Sequence, residues 1–381
     1  MDTHEPYFTA EHRLFREQLM RFTEREVAPL VEQAEESETF PRSVAEQMGA
    51  LGYVGVYVDP AYGGGGGDVV MSCIAAEEMN RVCAGIAGTL VVCAISCNAI
   101  YDFGTEAQKQ RWLKPVMEGH KIAGIGMTEP DVGSDFKAIK TRARKVDGGW
   151  VINGTKTFIT NGPIADFIVV CCRTDDSQSH KGISLLVVEK DTPGYTVTKK
   201  LKKLGLHSSE TGELLFEDCF VPDEHLIGEE GKGFYHVMKN LSMERLWSGA
   251  GSLGIAVAAL DAALRYAKER VQFGQPIGKF QMVRKLLVDM QTKVDAARHL
   301  VYTAALRIDR GEDPVMQVSQ AKMYASEIAK EVATDALQIF GGNGFMMEFP
   351  VQRYLRDAQV GTIYAGTNQI MTEIIADRMG L

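Results

Sequence analysis

The sequence has few of the features that mark a membrane protein, a secreted protein or a nucleic-acid-binding protein. Its 381 residues carry 41 Lys and Arg against 50 Asp and Glu, a net charge of −9, with no basic block to bind a polyanion. The weakly polar stretches 88–100 and 248–260 are shorter than the roughly 18 apolar residues that cross a bilayer, so no transmembrane helix is predicted. Seven cysteines, an odd number without C-x-x-C pairs near histidines, favour neither a disulfide framework nor a metal site.

The composition is that of a folded globular protein in a reducing compartment. Hydrophobic residues make up 45% and charged residues 24% of the chain, which are average values. The first residues, 1–6, have neither the basic start of a secretory signal nor the Arg-rich character of a transit peptide. We therefore expect a bacterial cytoplasmic protein, or a mature mitochondrial matrix protein if the source is eukaryotic.

The hydrophobic period changes twice along the chain, which predicts three regions. Residues 1–120 have the spacing of helices, with starts at Thr9, at Pro41 and near Asp68. Residues 121–228 contain short β-branched segments separated by Asn-Gly, Asp-Gly and Pro-Gly turns, as in a small antiparallel barrel or sandwich. Residues 229–381 return to helices, including two long antiparallel ones joined near Gly311, as in a bundle.

Four segments carry residues suited to a polar ligand, although each also has an ordinary structural explanation. Segment 127–135 combines hydroxyl groups with a Pro and a Gly, but could be a capped turn. Segment 153–162 suggests a hairpin with Phe158 at its centre. Segment 269–281 places an Arg beside a Phe in a Gly- and Pro-containing loop, which could also be a simple interhelical turn. Segment 338–344 and the later 363–369 place glycines with Thr, Asn and Gln near a helix start.

Taken together, in this order and at these separations, the four segments resemble the acyl-CoA dehydrogenases over essentially the whole chain. The resemblance implies an α+β multidomain fold with an N-terminal α-helical domain, a middle antiparallel β-barrel and a C-terminal four-helix bundle. It also implies one FAD per subunit, a homo-oligomer, typically a tetramer and sometimes a dimer, and oxidation of an acyl-CoA to the trans-2-enoyl-CoA. An electron-transferring flavoprotein is the implied electron acceptor.

The resemblance also assigns residues to the cofactor and the substrate. The flavin wall, with Thr128 and Thr160 near the polar edge of the isoalloxazine, consists of Ile125, Met127, Thr128, Gly133, Ser134, Phe158, Ile159 and Thr160. A neighbouring subunit contributes Arg270, Phe273, Gln281, Gln338, Gly341 and Gly342 to the FAD diphosphate and adenine, and the final helix adds Thr367, Asn368 and Gln369. Substrate contacts are Ser134, Ser242, Arg245, Ala365 and Gly366.

The residue expected to act as the base has moved in this sequence. Dehydrogenation removes a proton from Cα, so a carboxylate is required; the commonest family pattern places a Glu between Tyr and Gly-Thr, where this chain has Ala365. In the isovaleryl- and long-chain-like branches, the base is instead a Glu directly before an Arg, which corresponds to Glu244 here. The alternative is that Glu244 pairs with a cation on a solvated helix face. Ala365 still offers its backbone N–H to the thioester oxygen.

Two other functions remain open from the sequence. The same scaffold supports flavin oxidases or monooxygenases on a substrate without CoA, and oxygen consumption would distinguish these. A catalytically silent homologue that binds CoA or FAD is the third possibility, which Ala365 invites and Glu244 argues against.

Overall fold

The computed structural model describes residues 7–175 and 180–381, so the sequence features assigned to residues 1–6 lie outside the described residues. Helices come first, followed by a β-sheet and then by long helices. Thr9 begins the first helix because its side chain accepts a hydrogen bond from the His12 N–H, while the His12 side chain bonds back to the Thr9 N–H. The N-terminal helices are α1 Ala10–Phe22, α2 Val31–Ser37, α3 Arg42–Ala50, α4 Val69–Val82, α5 Ala84–Phe103, α6 Glu106–Gln108 and α7 Lys114–Met117.

The middle region is an open mixed sheet: the predicted β-region is confirmed, but the predicted antiparallel barrel is imprecise because the sheet does not close. Its strands are β1 Ala123–Gly126, β2 Arg142–Val146, β3 Gly149–Thr160, β4 Phe167–Arg173, β5 Ile183–Glu189, β6 Tyr195–Lys200, β7 Thr211–Pro222 and β8 Leu226–Ile227. The order is β6-β7-β3-β2-β4-β5-β8, with β1 beside β4. The end strands β6 and β8 do not pair with each other, and β4 runs parallel to both β1 and β2.

Strand β3 is continuous where the sequence predicts a turn. The Asn153-Gly154 pair lies inside β3, at one of two register shifts in its pairing with β7. Gly154 has a φ of 149°, and a Cβ there would come within 2.5 Å of the Thr141 hydroxyl, so only glycine fits this bulge. The second shift, between Lys156 and Ile159, replaces the hairpin predicted around Phe158.

The C-terminal region consists of long helices with shorter ones packed on them. Its helices are α8 Gly233–Glu269, α9 Gln281–Asp309, α10 Val315–Phe340, α11 Val351–Ala358 and α12 Asn368–Met379. A small hairpin of β9 Val271–Gln272 and β10 Gln275–Pro276 joins α8 to α9. The predicted stop of α10 at the glycine run is confirmed, because Gly341 follows the helix with a φ of 60°. The short loop between α9 and α10 makes these two helices antiparallel neighbours.

The core connects the three regions. One apolar cluster joins α4 to α8, α9 and α10, and a second joins the N-terminal helices to one face of the sheet. Alternate residues of β4 and β5 serve the two faces: Val169 and Leu185 meet the helices, while Val170 and Leu186 fill a third cluster. Helices α5 and α8 are long and apolar enough for a membrane span, but 72% and 94% of their apolar windows are buried in the protein, as in core helices.

Candidate active site

Two chain segments predicted to form the flavin wall lie side by side in the structure. The Thr157 N–H donates to the Thr128 carbonyl at 2.9 Å, and the Asn161 side-chain amide donates to the Ala123 carbonyl at 2.9 Å. These bonds hold the end of β1 and the following loop against β3. They bring together the predicted wall residues Ile125, Met127 and Thr128 with Phe158, Ile159 and Thr160.

Phe158 presents a flat apolar surface to the outside of this wall. Its side chain is 68% exposed, and its φ of 58° is a left-handed conformation that costs a non-glycine residue roughly 1–2 kcal/mol. Strain of this kind clusters at functional sites. The neighbouring Ile159 is 3% exposed, with its side chain in the core, so only its backbone is available to a ligand. Thr128 and Thr160 are half-buried.

A buried ion pair beneath the wall was not predicted. The Lys156 Nζ lies 2.8 Å from the Glu129 Oε1 and donates to the Met127 carbonyl at 3.1 Å, with the Lys156 side chain fully buried. The backbone N–H groups of Lys140 and Thr141 also donate to Glu129. Although burial opposes ionisation, Lys156 and these donors hold the pKa of Glu129 below its usual range. The signal in the sequence was a Lys at an inward position of a strand.

The loop after the wall reaches toward the start of α8. Gly133 and Ser134 are exposed, and a Cβ added to Gly133 would meet no atom within 4 Å. The rings of Phe136 and Phe234 stack with centroids 6.0 Å apart, which ties this loop to the first turn of α8. Predicted substrate contact Ser134 therefore lies on the same side of the molecule as the helix that carries Glu244.

Glu244 is a carboxylate without a partner. It lies on α8 and is partly buried, and within residues 7–175 and 180–381 no hydrogen bond or ion pair is assigned to its side chain. Burial raises the pKa of Glu244 to about 7, and only the charge of Arg245 opposes this. The alternative of a solvated ion pair is therefore not seen. Ser242, two residues earlier, is also partly buried.

Arg245 and the Ala365-Gly366 turn come together at the same level of α8. A Cβ placed on Gly366 would lie 3.8 Å from the Arg245 Nη2, and the Arg245 Nε is buried without a hydrogen-bond partner. Ala365 and Gly366 have φ values of 54° and 86°. Throughout the described part of the chain, no acceptor is found for the Ala365 N–H. A half-buried cation thus lies next to a turn whose Ala365 N–H has no acceptor in the described residues.

The predicted cofactor contacts on the final helix divide into different structural roles. The Thr367 hydroxyl accepts from the Ile370 N–H and so caps α12, and Gln369 is exposed. The Asn368 side chain is buried, accepting from the Lys322 Nζ at 2.8 Å and donating to the Ser326 hydroxyl and to Glu327. All its polar atoms are used within the protein, so its side chain holds α12 in place.

An apolar cavity opens between α4, α5, the segment 48–57 and α8. It has a volume of about 50 Å³, and its lining includes Tyr57, Met79, Val91 and Trp247. Trp247 lies three residues after Glu244 on α8, so the two side chains share one helix face. The Tyr57 and Trp247 rings contact each other with centroids 5.5 Å apart. The cavity therefore adjoins the face of α8 that carries the unpaired carboxylate.

The remaining predicted cofactor residues form a separate exposed surface. They lie at the β9-β10 hairpin, the start of α9 and the end of α10, and Phe273 at the hairpin tip is 93% exposed. Cβ atoms on Gly341 and Gly342 would meet nothing within 4 Å. Since α8 rises 1.5 Å per residue, Arg270 lies about 39 Å from Glu244 along that helix. Arg270, Phe273, Gln281, Gln338, Gly341 and Gly342 thus lie far from the wall of their own chain.

These features fit a flavin cofactor. Phe158 offers an exposed ring beside the hydroxyls of Thr128 and Thr160, and the loop glycines leave space for close approach. A carboxylate with a raised pKa can abstract a proton beside a carbonyl, and a free backbone N–H can donate a hydrogen bond to the carbonyl oxygen as it becomes negative. Fold and site together define a flavin-dependent oxidoreductase acting next to a carbonyl group.

Family comparison specifies the class further. The acyl-CoA dehydrogenase N-terminal domain matches residues 9–120, the middle domain matches residues 124–219 and the C-terminal domain matches residues 231–380. The chain belongs to the acyl-CoA dehydrogenase family.

Individual relatives agree over nearly the full length. An acyl-CoA dehydrogenase of Bacillus subtilis is 43% identical, over 97% of this chain and 98% of the relative. A mitochondrial isovaleryl-CoA dehydrogenase of Oryza sativa subsp. japonica is 40% identical, over 95% of this chain and 89% of the relative. A chain of the structure described as the electron transferring flavoprotein of Acidaminococcus fermentans has a TM-score of 0.95 at 41% identity, covering 100% of this chain and 99% of that chain.

The predicted activity and cofactor are confirmed by this membership. The protein is an oxidoreductase that dehydrogenates an acyl-CoA and uses FAD. The helical, sheet and helical order of the fold is likewise confirmed, with the open sheet in place of the barrel.

Proposed function

We propose that Glu244 is the base that removes the Cα proton of the acyl-CoA. The observation that carries this proposal is a partly buried carboxylate with no partner in the described residues, on the helix face whose Trp247 lines an apolar cavity, in a chain where residue 365 is Ala. Its pKa, raised to about 7, makes it a better proton acceptor near neutrality than an ordinary Glu. The same placement of the base is implied by the resemblance to the isovaleryl- and long-chain-like branches.

In this proposal the Ala365 N–H donates a hydrogen bond to the thioester oxygen. Withdrawal of the Cα proton places negative charge on that oxygen, and a donor already aimed at it stabilises the charge without reorganisation. The left-handed conformation of Ala365 and its unused N–H support this role. Ser242, Arg245, Gly366 and Ser134 complete the proposed substrate contacts.

The proposed flavin wall orients the cofactor against Cβ. When bound, FAD supplies the acceptor for the hydride that leaves Cβ. Phe158 supports the ring system from one side, and Thr128 and Thr160 contribute hydroxyls at its polar edge. The remaining contacts proposed for the wall are Ile125, Met127, Gly133 and the backbone of Ile159.

We further propose that the cofactor site is completed by a second copy of the chain. About 39 Å separates Glu244 from Arg270 along α8, so Arg270, Phe273, Gln281, Gln338, Gly341 and Gly342 serve this cofactor only from a neighbouring subunit. The exposed apolar surface of Phe273 and Met282 supports such an interface. A homotetramer is the proposed assembly, with a dimer as the alternative.

The apolar cavity beside Trp247 is proposed to take the acyl chain. Its lining is aliphatic and aromatic, with Ser72 as a polar exception. The position of Glu244 favours a branched or long chain by analogy to those branches.

An electron-transferring flavoprotein is the proposed electron acceptor, and a bacterial cytoplasm the proposed location. Seven free, buried cysteines support a reducing compartment. We also propose the domain limits 1–120, 121–228 and 229–381, supported by the change from helix to strand between Met117 and Ala123 and back to helix between Ile227 and Gly233.

An anaerobic titration tests the proposed base. Wild-type protein and Glu244→Gln are mixed with short, branched, long and aromatic acyl-CoAs, and bleaching of the oxidised-flavin absorbance is recorded. We expect one class of acyl-CoA to bleach the wild type and none to bleach Glu244→Gln, with FAD retained in both. Glu230→Gln, an exposed Glu just before α8, is the matched control and should bleach like the wild type.

Other outcomes of the same titration are equally informative. Full bleaching of Glu244→Gln would remove that residue as the base. Oxygen consumption during aerobic turnover would instead favour an oxidase, and binding without bleaching of the wild type would favour a silent homologue.

A further inference from the structure

Lys322 on α10 is a fully buried cation in contact with the turn that follows Ala365. Its Nζ donates to the Gly366 carbonyl at 2.7 Å and to the Asn368 Oδ1 at 2.8 Å. Its exposed fraction is 0%. Among the described residues, no carboxylate oxygen lies within 4.0 Å of the Lys322 Nζ. Both acceptors are therefore neutral amide oxygens.

Burying a charge with only neutral partners opposes folding, so the arrangement needs a reason other than stability. The charged groups that act on Lys322 are Arg245 from α8 and Glu327 from its own helix. Burial and then the charge of Arg245 lower the pKa of Lys322 to about 8, although Glu327 opposes them. Two cations, Lys322 and Arg245, thus both lie close to Gly366: the Lys322 Nζ donates to its carbonyl, and the Arg245 Nη2 lies 3.8 Å from where a Cβ on Gly366 would be.

The turn held by Lys322 is conformationally demanding. Ala365 and Gly366 both have positive φ values, 54° and 86°, which an alanine adopts only when its surroundings enforce it. Lys322 anchors the carbonyl at the end of this turn, and the Thr367 cap of α12 follows at once. Gly249 of α8 packs so closely on α10 that a Cβ there would lie 3.3 Å from the Lys322 Cα. Lys322 is accordingly fixed between α8 and the turn.

We propose that Lys322 is a positioning residue for the acyl-CoA thioester. It holds the Ala365-Gly366 turn so that the Ala365 N–H faces the thioester oxygen, and its buried charge favours the negative charge that develops on that oxygen. This inference rests on the proposed role of the Ala365 N–H, but it does not depend on which residue is the base. Its charge acts through a low-dielectric interior, where electrostatic effects exceed those in water.

The test measures polarisation of the bound carbonyl directly. Trans-2-enoyl-CoA labelled with carbon-13 at the thioester carbon is bound to the oxidised holoenzyme, and the carbonyl stretching frequency is read by infrared difference spectroscopy. In Lys322→Met we expect the frequency to move toward that of the free thioester. We also expect the rate constant of flavin reduction by acyl-CoA to fall by about 10- to 100-fold, as for a small displacement of a reacting group.

Lys330→Met is the matched control. Lys330 lies two turns further along α10, pairs with Glu327 at 3.2 Å and does not touch the turn, so the same substitution there should leave the frequency unchanged. Lys322→Gln, which retains a donor but loses the charge, replaces Lys322→Met if the latter does not fold, and its frequency should move part of the way. An unchanged carbonyl frequency in a folded, FAD-containing Lys322 variant would overturn the inference.

The experiments can disprove the role of Glu244 as the base without disproving the role of Lys322, and the reverse. The enoyl-CoA complex requires no proton abstraction, so bleaching of Glu244→Gln would leave the carbonyl measurement valid. A pH profile adds a second readout: the wild type should lose reduction rate as pH rises through about 8, and this alkaline loss should be absent in Lys322→Gln. Retention of the same alkaline loss in Lys322→Gln would contradict the role of its charge.

Discussion

Replacing Lys156 by Met should destabilise the flavin wall more than any comparable substitution on the sheet surface. The Lys156 and Glu129 side chains are 0% and 4% exposed. Removing the ammonium leaves the carboxylate buried with only two backbone donors, a change that costs about 3–5 kcal/mol. Lys145, in the same sheet, forms an exposed ion pair with Asp223, and Lys145→Met should cost less than about 1 kcal/mol.

The assay is thermal release of FAD, followed by flavin fluorescence, beside loss of secondary structure by circular dichroism. Lys156→Met should lower the release temperature by on the order of 10 °C, at about 2–4 °C per kcal/mol. Adding Glu129→Gln should recover most of this loss because the unpaired charge is gone. The difference in release temperature between Lys156→Met and the wild type should narrow in acid. The pKa of Glu129 is lower in the folded than in the unfolded protein, so its charge stabilises the fold fully above the unfolded pKa. This stabilisation is lost as pH falls through the folded pKa.

Two results would refute this reasoning. A release temperature for Lys156→Met equal to that of Lys145→Met would mean that the buried pair does not stabilise the wall. No recovery in the double variant would mean that the loss comes from packing of the Lys156 stem.

Further predictions concern the base, the turn and the interface. On the acid side of the alkaline loss expected from Lys322, the rate constant of flavin reduction should rise with pH around a midpoint of about 7, because only the ionised Glu244 accepts a proton; a rate independent of pH from about 6 to 7 would contradict this. At a pH above the pKa that Glu244 has in the unfolded chain, its raised pKa in the folded protein opposes folding. Glu244→Gln should therefore be more thermostable than wild type at pH 8. Gly366→Ala should slow reduction at least about tenfold with FAD retained, because its Cβ would lie 2.9 Å from the Met371 Cε at a positive φ, and stopped-flow absorbance checks this. Arg270→Ala should raise the dissociation constant of FAD, measured by fluorescence, while Lys268→Ala on the same helix end should not.

Local signals in the sequence predicted several helix limits. Thr9 and Asp68 cap α1 and α4 as expected, because each side-chain oxygen accepts a bond from a backbone N–H of the first turn. The period of apolar residues likewise predicted α9 and α10, whose buried faces meet α8. Features that depend on a few neighbouring residues could therefore be found without the structure.

Features that depend on distant residues were missed or misjudged. Asn153-Gly154 has the composition of a hairpin turn, but long pairing with β7 keeps β3 continuous through it, with a bulge in place of the turn. The sheet is open because its edge strands β6 and β8 do not pair with each other, and no local sequence pattern specifies this pairing. In the site, Lys322 looked like one more residue of a helical face, and only the packing of α10 against the 365–368 turn reveals its contacts. The burial of the Asn368 side chain against that same lysine could likewise not be found from the sequence, and its contact with the cofactor stays a prediction.

The most direct test of the central claim is a single-turnover measurement of flavin reduction at pH 8. Wild type and Glu244→Gln, with equal FAD content, are mixed anaerobically with the acyl-CoA that bleaches the wild type, and the absorbance decay is followed. Loss of a general base predicts a rate constant lower by about 10²- to 10⁴-fold in Glu244→Gln. A rate constant within tenfold of the wild type would contradict the assignment of Glu244 as the base.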